Sequence, residues 1–249
     1  MQVSEHFKSR NPSSVRKAQI SFSKRNDKDS IAVINLAIGN ISRPMYPAMR
    51  KALIDLGTKR FSDGVVKYTP TVGTDNARNA FLNILSAEGY DISGLNSLIT
   101  DGGSSAMELM LLGVCGPASS NPILFLDPTY TNYTDFANRL SIPKISINRQ
   151  IDENGSFTGL NINAIESIIM EHNPSGLLFI PYDNPTGQFL SKDVICDLAK
   201  IAVKNDIWLI SDEAYRSLSY VGNESSSIWS INESDVKGIT GRRISIESA

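Results

Sequence analysis

Four times between residues 97 and 215 a short apolar run breaks into a polar, turn-forming cluster, with helical periodicity in between. The runs are Ser97–Thr100 into Asp101-Gly102-Gly103-Ser104-Ser105 and Ile123–Leu126 into Asp127-Pro128-Thr129-Tyr130. Two more are Leu177–Pro181 into Tyr182-Asp183-Asn184-Pro185-Thr186-Gly187, and Ile207–Ser211 into Asp212-Glu213-Ala214-Tyr215. Near-continuous apolar strands alternating with helices predict an α/β fold of three layers, a mainly parallel central sheet with helices on both faces. In open sheets of this kind ligands bind beyond the carboxyl ends of the strands. All four polar clusters lie at that end.

The helical segments follow from caps and period. Asn11-Pro12 is expected to open a helix through Val15, Ala18 and Phe22. Pro47–Leu56 reads as a helix, as does Asp75–Glu88 after a Thr74 cap, with Ala77, Ala80, Phe81, Ile84 and Leu85 on one face. Ala106–Val114 and Thr134–Leu140 follow the first two strands. Asn163 is expected to cap a helix that Asn173-Pro174 stops, and Ser191 the next, whose stripe is Val194, Ile195, Leu198, Ile201 and Ala202. Ile31–Ile38, Lys144–Ile147 and Ile244–Ile246 read as short strands, and the polar stretch 221–243 as a surface excursion.

Composition removes several classes of function. With 24 Lys and Arg against 26 Asp and Glu the formal charge is -2, which gives no case for a nucleic-acid partner. No run of apolar residues is long enough for a membrane span. Cys115 and Cys196 lack metal-ligand spacing and read as buried, reduced thiols, so no metal site is expected. No apolar stretch follows Met1, the Lys-, Arg- and Ser-rich residues 1–30 read as a solvated arm, and the cytoplasm is the expected location.

Each cluster carries one chemical capacity and one bland alternative. Glycines let a backbone approach a ligand, and a helix N-terminus offers free N–H groups, so Gly102-Gly103-Ser104-Ser105 is either an anion cradle or a plain strand-to-helix turn. Tyr130 can stack on a flat ring or pack half-buried on its neighbours. Asn184 opens a turn by composition, and its amide stands close to the strand end. Asp212 closes an apolar strand, where a carboxylate needs a cation or several donors; a protonated pyridine nitrogen is one such cation. The alternative is a helix cap. Tyr215, three residues on, can return its phenol to the same place.

In order and spacing these clusters resemble the class I/II aminotransferases, fold-type I enzymes that use pyridoxal 5′-phosphate. The resemblance runs from about Leu36 to Ala249, with Asn184 to Asp212 separated by 28 positions, Asp212 to Tyr215 by 3 and Asp212 to Ser248 by 36. It implies that Gly102, Gly103 and Ser104 cradle the cofactor phosphate together with Ser248, and that Tyr130 stacks on the pyridine ring. It implies also that Asn184 and Tyr215 bond the ring's phenolic oxygen and that Asp212 faces the ring nitrogen. Tyr68, in Lys67-Tyr68-Thr69-Pro70, resembles the tyrosine reaching the phosphate of a neighbouring subunit, and Gly39 the loop glycine near the substrate carboxylate.

The activity so implied is transfer of an amino group from an L-amino acid, aspartate among the candidates, to a 2-oxo acid. A homodimer with shared sites goes with it. Residues 1–45 would form an N-terminal arm and the start of a small domain, and 46–249 the cofactor-binding large domain. The lysine that bonds the cofactor is expected just beyond Ala249. Two alternatives keep the fold: a pyridoxal-phosphate-dependent lyase, and a non-catalytic regulatory module should the chain end at Ala249.

Overall fold

The structure is a computed structural model that describes residues 2–8, 12–36, 43–218 and 225–248. In chain order its elements are α1 (Glu5–Lys8), α2 (Ser14–Ser23), α3 (Pro47–Asp55), α4 (Asp75–Ala87), α5 (Gly102–Cys115), β1 (Ile123–Asp127) and α6 (Asn132–Arg139). They continue with β2 (Lys144–Asn148), α7 (Ile162–His172), β3 (Gly176–Phe179), α8 (Lys192–Lys204), β4 (Trp208–Asp212) and β5 (Arg243–Ile246). Two compact units result, one of Asn11–Asp75 and one of Met1–Arg10 with Asn76–Ala249. Among the described residues of the first unit, which carries α2 and α3, none is fully buried.

The larger unit is built on a five-stranded parallel sheet ordered β2-β1-β3-β4-β5. Alternation along each strand sends side chains to opposite faces. Leu124, Leu126, Leu177, Phe179 and Leu209 meet Ile165 and Ile169 of α7 and Ile195 and Leu198 of α8 on one face. Their neighbours Ile123, Phe125, Leu178 and Ile210 meet Met107 and Leu111 of α5 and Tyr133 and Phe136 of α6 on the other. The three-layer α/β architecture expected from the sequence is therefore the one observed. Strand order reverses between β1 and β3, which opens a crevice at their carboxyl ends.

Several local expectations are corrected. Ser97–Thr100 is not a strand. Strand identity requires a ladder, and among the described residues β5 pairs with β4 alone. Ser97–Thr100 and β5 both line a groove of about 550 Å³, and among the described residues the segment joins no ladder. Residues 31–36 likewise form no strand, and 37–38 lie outside the described residues. Ser13, whose Oγ accepts from the Arg16 N–H at 3.5 Å, caps α2; Asn11 lies outside the described residues. Asn161 caps α7, its side chain accepting from the Ala164 N–H at 3.0 Å. Asn163 stands inside that helix, where its carbonyl accepts from Ser167 instead.

The stretch 221–243 is no surface excursion where it is described: Ile228, Ile231, Val236 and Ile239 are buried in the α7–α8 core. Cys115 and Cys196 are free and only half-buried rather than buried, and burial pushes the Cys115 thiol up.

Candidate active site

Seven of the predicted residues line one cavity of about 210 Å³ at the carboxyl end of the sheet: Gly103, Ser104, Tyr130, Asn184, Asp212, Tyr215 and Ser248. They arrive from five separate segments of the chain. Gly103 and Ser104 open α5, Tyr130 follows β1, Asn184 follows β3, Asp212 ends β4, and Ser248 stands two residues past β5. The parallel register makes this possible, since Asp212 lies beside Ile246 of β5. Met107, Tyr133, Phe136, Ile180 and Ile246 supply the apolar lining.

Asp212 sets the electrostatics. Its Oδ2 accepts from the Tyr133 hydroxyl in a short hydrogen bond, and its Oδ1 from the Ala214 N–H at 3.1 Å. Burial pushes its carboxyl above the usual carboxylate range, and those two donors only partly offset the shift. Tyr133 is 1% exposed, and burial together with the Asp212 charge holds its phenol well above the usual tyrosine range. Tyr133 is therefore a fixed donor and Asp212 a fixed acceptor. Among the described residues lining the cavity there is no Lys or Arg. A carboxylate so placed is matched by a cation entering the cavity.

Another part of the lining suits an anion. The N-terminal N–H groups of a helix have no partner within it, and α5, 14 residues long, presents Gly103 and Ser104 at its start. Asp101 makes no side-chain capping bond to them. A Cβ built on Gly103 would stand 3.8 Å from the Ser248 Cβ, so the glycine backbone and that serine share one corner. Gly102 differs. With φ +81° it makes the turn into the helix, its N–H donates to the Thr100 carbonyl at 2.8 Å, and it lines the neighbouring groove rather than this cavity.

Tyr130 is half-buried, its ring 5.5 Å from that of Tyr133 at 79°, and its hydroxyl accepts from the Asn132 amide at 2.9 Å. Tyr215 is exposed. Tyr68 belongs to the smaller unit and is fully exposed, and Gly39 lies outside the described residues. Tyr133 was not foreseen from sequence. It joins Phe136 and Ala137 in the buried stripe of α6, so its spacing marks it as core and hides its polar end. Arg149 was missed as well. It follows β2, and its side chain is 3% exposed against Asp183 at 4%.

The sequence profile of the aminotransferase class I and II family matches residues 31–240, and the chain belongs to that family. It is 26% identical over 196 residues to aspartate aminotransferase of Sulfurisphaera tokodaii, covering 79% of this chain and 47% of that protein. To nicotianamine aminotransferase A of Hordeum vulgare it is 31% identical over 196 residues, 75% of this chain and 40% of the other. The fold matches N-succinyldiaminopimelate aminotransferase from Mycobacterium tuberculosis with a TM-score of 0.79 at 22% identity, over 100% of this chain and 60% of that one. The chain thus spans about half the length of the curated relatives it matches or less.

Proposed function

We propose that this chain is the cofactor-binding part of an aminotransferase that moves the amino group of an L-amino acid to a 2-oxo acid, with pyridoxal 5′-phosphate held in the Asp212 cavity. One observation carries the reading: a half-buried carboxylate with no Lys or Arg beside it in the cavity and a helix N-terminus without a side-chain cap line the same cavity as Tyr130. A flat cationic heterocycle bearing a phosphate satisfies both. Bound there, the cofactor supplies the electron sink that makes a substrate Cα proton labile.

The chain's own residues hold and orient. Asp212 would keep the proton on the ring nitrogen, and Tyr133 would keep Asp212 ionised and aimed. Asn184 and Tyr215 would donate to the ring's phenolic oxygen, and Tyr130 would stack on the ring face. The N–H groups of Gly103 and Ser104 with the Ser248 hydroxyl would hold the phosphate. Membership of the family supports a homodimer in which Tyr68 serves the partner's site. Aspartate is the first amino donor to test, because several relatives carry that name.

Titration with pyridoxamine 5′-phosphate, followed by its fluorescence, tests the cofactor reading. Wild type is expected to bind, and Asp212→Asn to lose about 2 kcal/mol or more of that affinity, as when one partner of a desolvated charge pair is removed. Equal binding by both would refute the assignment of Asp212. Incubation with aspartate and 2-oxoglutarate, with glutamate as product, tests the reaction.

A further inference from the structure

Arg149 lies outside the cavity, yet it grips both loops that deliver the cavity's aromatic ring and amide. Its backbone N–H donates to the Asp127 carbonyl at 2.7 Å, extending the β1–β2 ladder by one bond. One guanidinium nitrogen, Nη2, donates to the Leu126 carbonyl at 3.1 Å and to the Pro128 carbonyl, the latter two residues before Tyr130. The other, Nη1, reaches the Asp183 carboxylate at 2.9 Å, Gln188 Oε1 at 3.2 Å and Thr186 Oγ1 at 3.3 Å. Asp183 precedes Asn184 directly, and it also accepts from the Thr186 N–H and hydroxyl. A planar fork with donors on both sides is what such a bridge requires, and lysine has no equivalent.

The position is informative. β1 and β3 are the pair between which strand order reverses, so their loops flank the crevice where this class of sheet binds ligands. Burying an ion pair is weak evidence of stability, because desolvation offsets the attraction. What the pair does supply is a fixed distance between two loops of separate strands.

We propose that Arg149, with Asp183 as counter-ion, is a positioning residue that sets the separation of Tyr130 and Asn184 and thereby the fit of the cofactor ring. This rests on the cofactor reading above. The phosphate end of the cavity, built from α5 and Ser248, receives no bond from Arg149, so the two ends are separable.

The test compares two probes, pyridoxamine 5′-phosphate and inorganic phosphate, on the full chain. Arg149→Met is expected to weaken the ring-bearing probe about tenfold or more, as loosened positioning shells do, while phosphate alone binds within about twofold of wild type. Because Arg149→Met strands the Asp183 charge, the double variant Arg149→Met with Asp183→Asn is made alongside. It is expected to recover the melting temperature without recovering ring affinity. A double variant that binds the ring as wild type does overturns the proposal, and so does a parallel fall in both probes. If wild type itself ignores pyridoxamine 5′-phosphate, the cofactor reading has failed and the positioning role falls with it. Binding by wild type with no change in either variant removes the positioning role alone.

Discussion

A carboxylate that closes a buried strand persists only where something donates to it, and at Asp212 the donors are the Tyr133 hydroxyl and the Ala214 N–H. Tyr133→Phe takes one away and leaves a half-buried acceptor short, which should cost about 1–3 kcal/mol in chemical unfolding near neutral pH. Asp212→Asn acts in the opposite direction. The folded-state pKa of Asp212 lies above its ordinary value, so on raising pH the unfolded chain ionises first and stability falls until the folded carboxyl ionises too. Asn has no such penalty. The ligand-free variant should therefore melt higher than wild type near neutral pH, and that difference should vanish below the ordinary carboxylate range; melts at a series of pH values measure it. Asp212 and Asn184 were legible in the sequence because a polar residue ending an apolar run stands out. Tyr133 and Arg149 were not, because the one sits in a helical stripe and the other is defined by side-chain partners 21 to 39 positions away.

Elements were legible where local pattern suffices and opaque where pairing decides. β1, β3 and β4 are continuous apolar runs bounded by turn residues, so their type follows from composition. Ser97–Thr100 has the same look, but a strand is its ladder, and among the described residues this segment joins none. The isoleucines at 228, 231 and 239 escaped notice because they stand singly among mostly polar residues; their burial depends on the α7–α8 core they fill. Gly176 shows the same dependence on a neighbour. It opens β3 opposite Trp208, and a Cβ there would lie 2.9 Å from Ile210 Cδ1 and 3.1 Å from the Trp208 carbonyl oxygen. The side chain can yield but the paired backbone cannot. Gly176→Ala should lower stability by about 1–3 kcal/mol, read as a lower denaturant midpoint with the slope unchanged.

At the scale of the molecule, residues remote in sequence meet in a charge network beside the cavity. Arg216, its side chain 7% exposed, pairs with Glu88 beyond α4 at 2.8 Å, with Glu213 beyond β4 at 3.1 Å, and with Glu247 beyond β5. Tyr215 and Ser248 are sequence neighbours of that network, so it fixes two walls of the site at once. Glu213 is fully buried and accepts also from Ser211, Ser227 and the Ile228 N–H. Burial pushes its carboxyl up, against the pull of those donors and of Arg216. Removing the cation raises that pKa further and leaves a buried anion uncompensated. Arg216→Met should therefore cost about 3–5 kcal/mol near neutral pH. The folded variant holds the Glu213 proton to higher pH than the unfolded chain does, so its stability falls as pH rises through that window. Lowering the pH toward the ordinary carboxylate range should narrow its gap to wild type. Adding Glu213→Gln should narrow the gap near neutral pH as well, because the stranded charge is then gone. Urea unfolding of the two variants at about pH 5 and about pH 7.5 measures both effects, and a gap independent of pH would show that the cost of losing Arg216 is packing rather than charge.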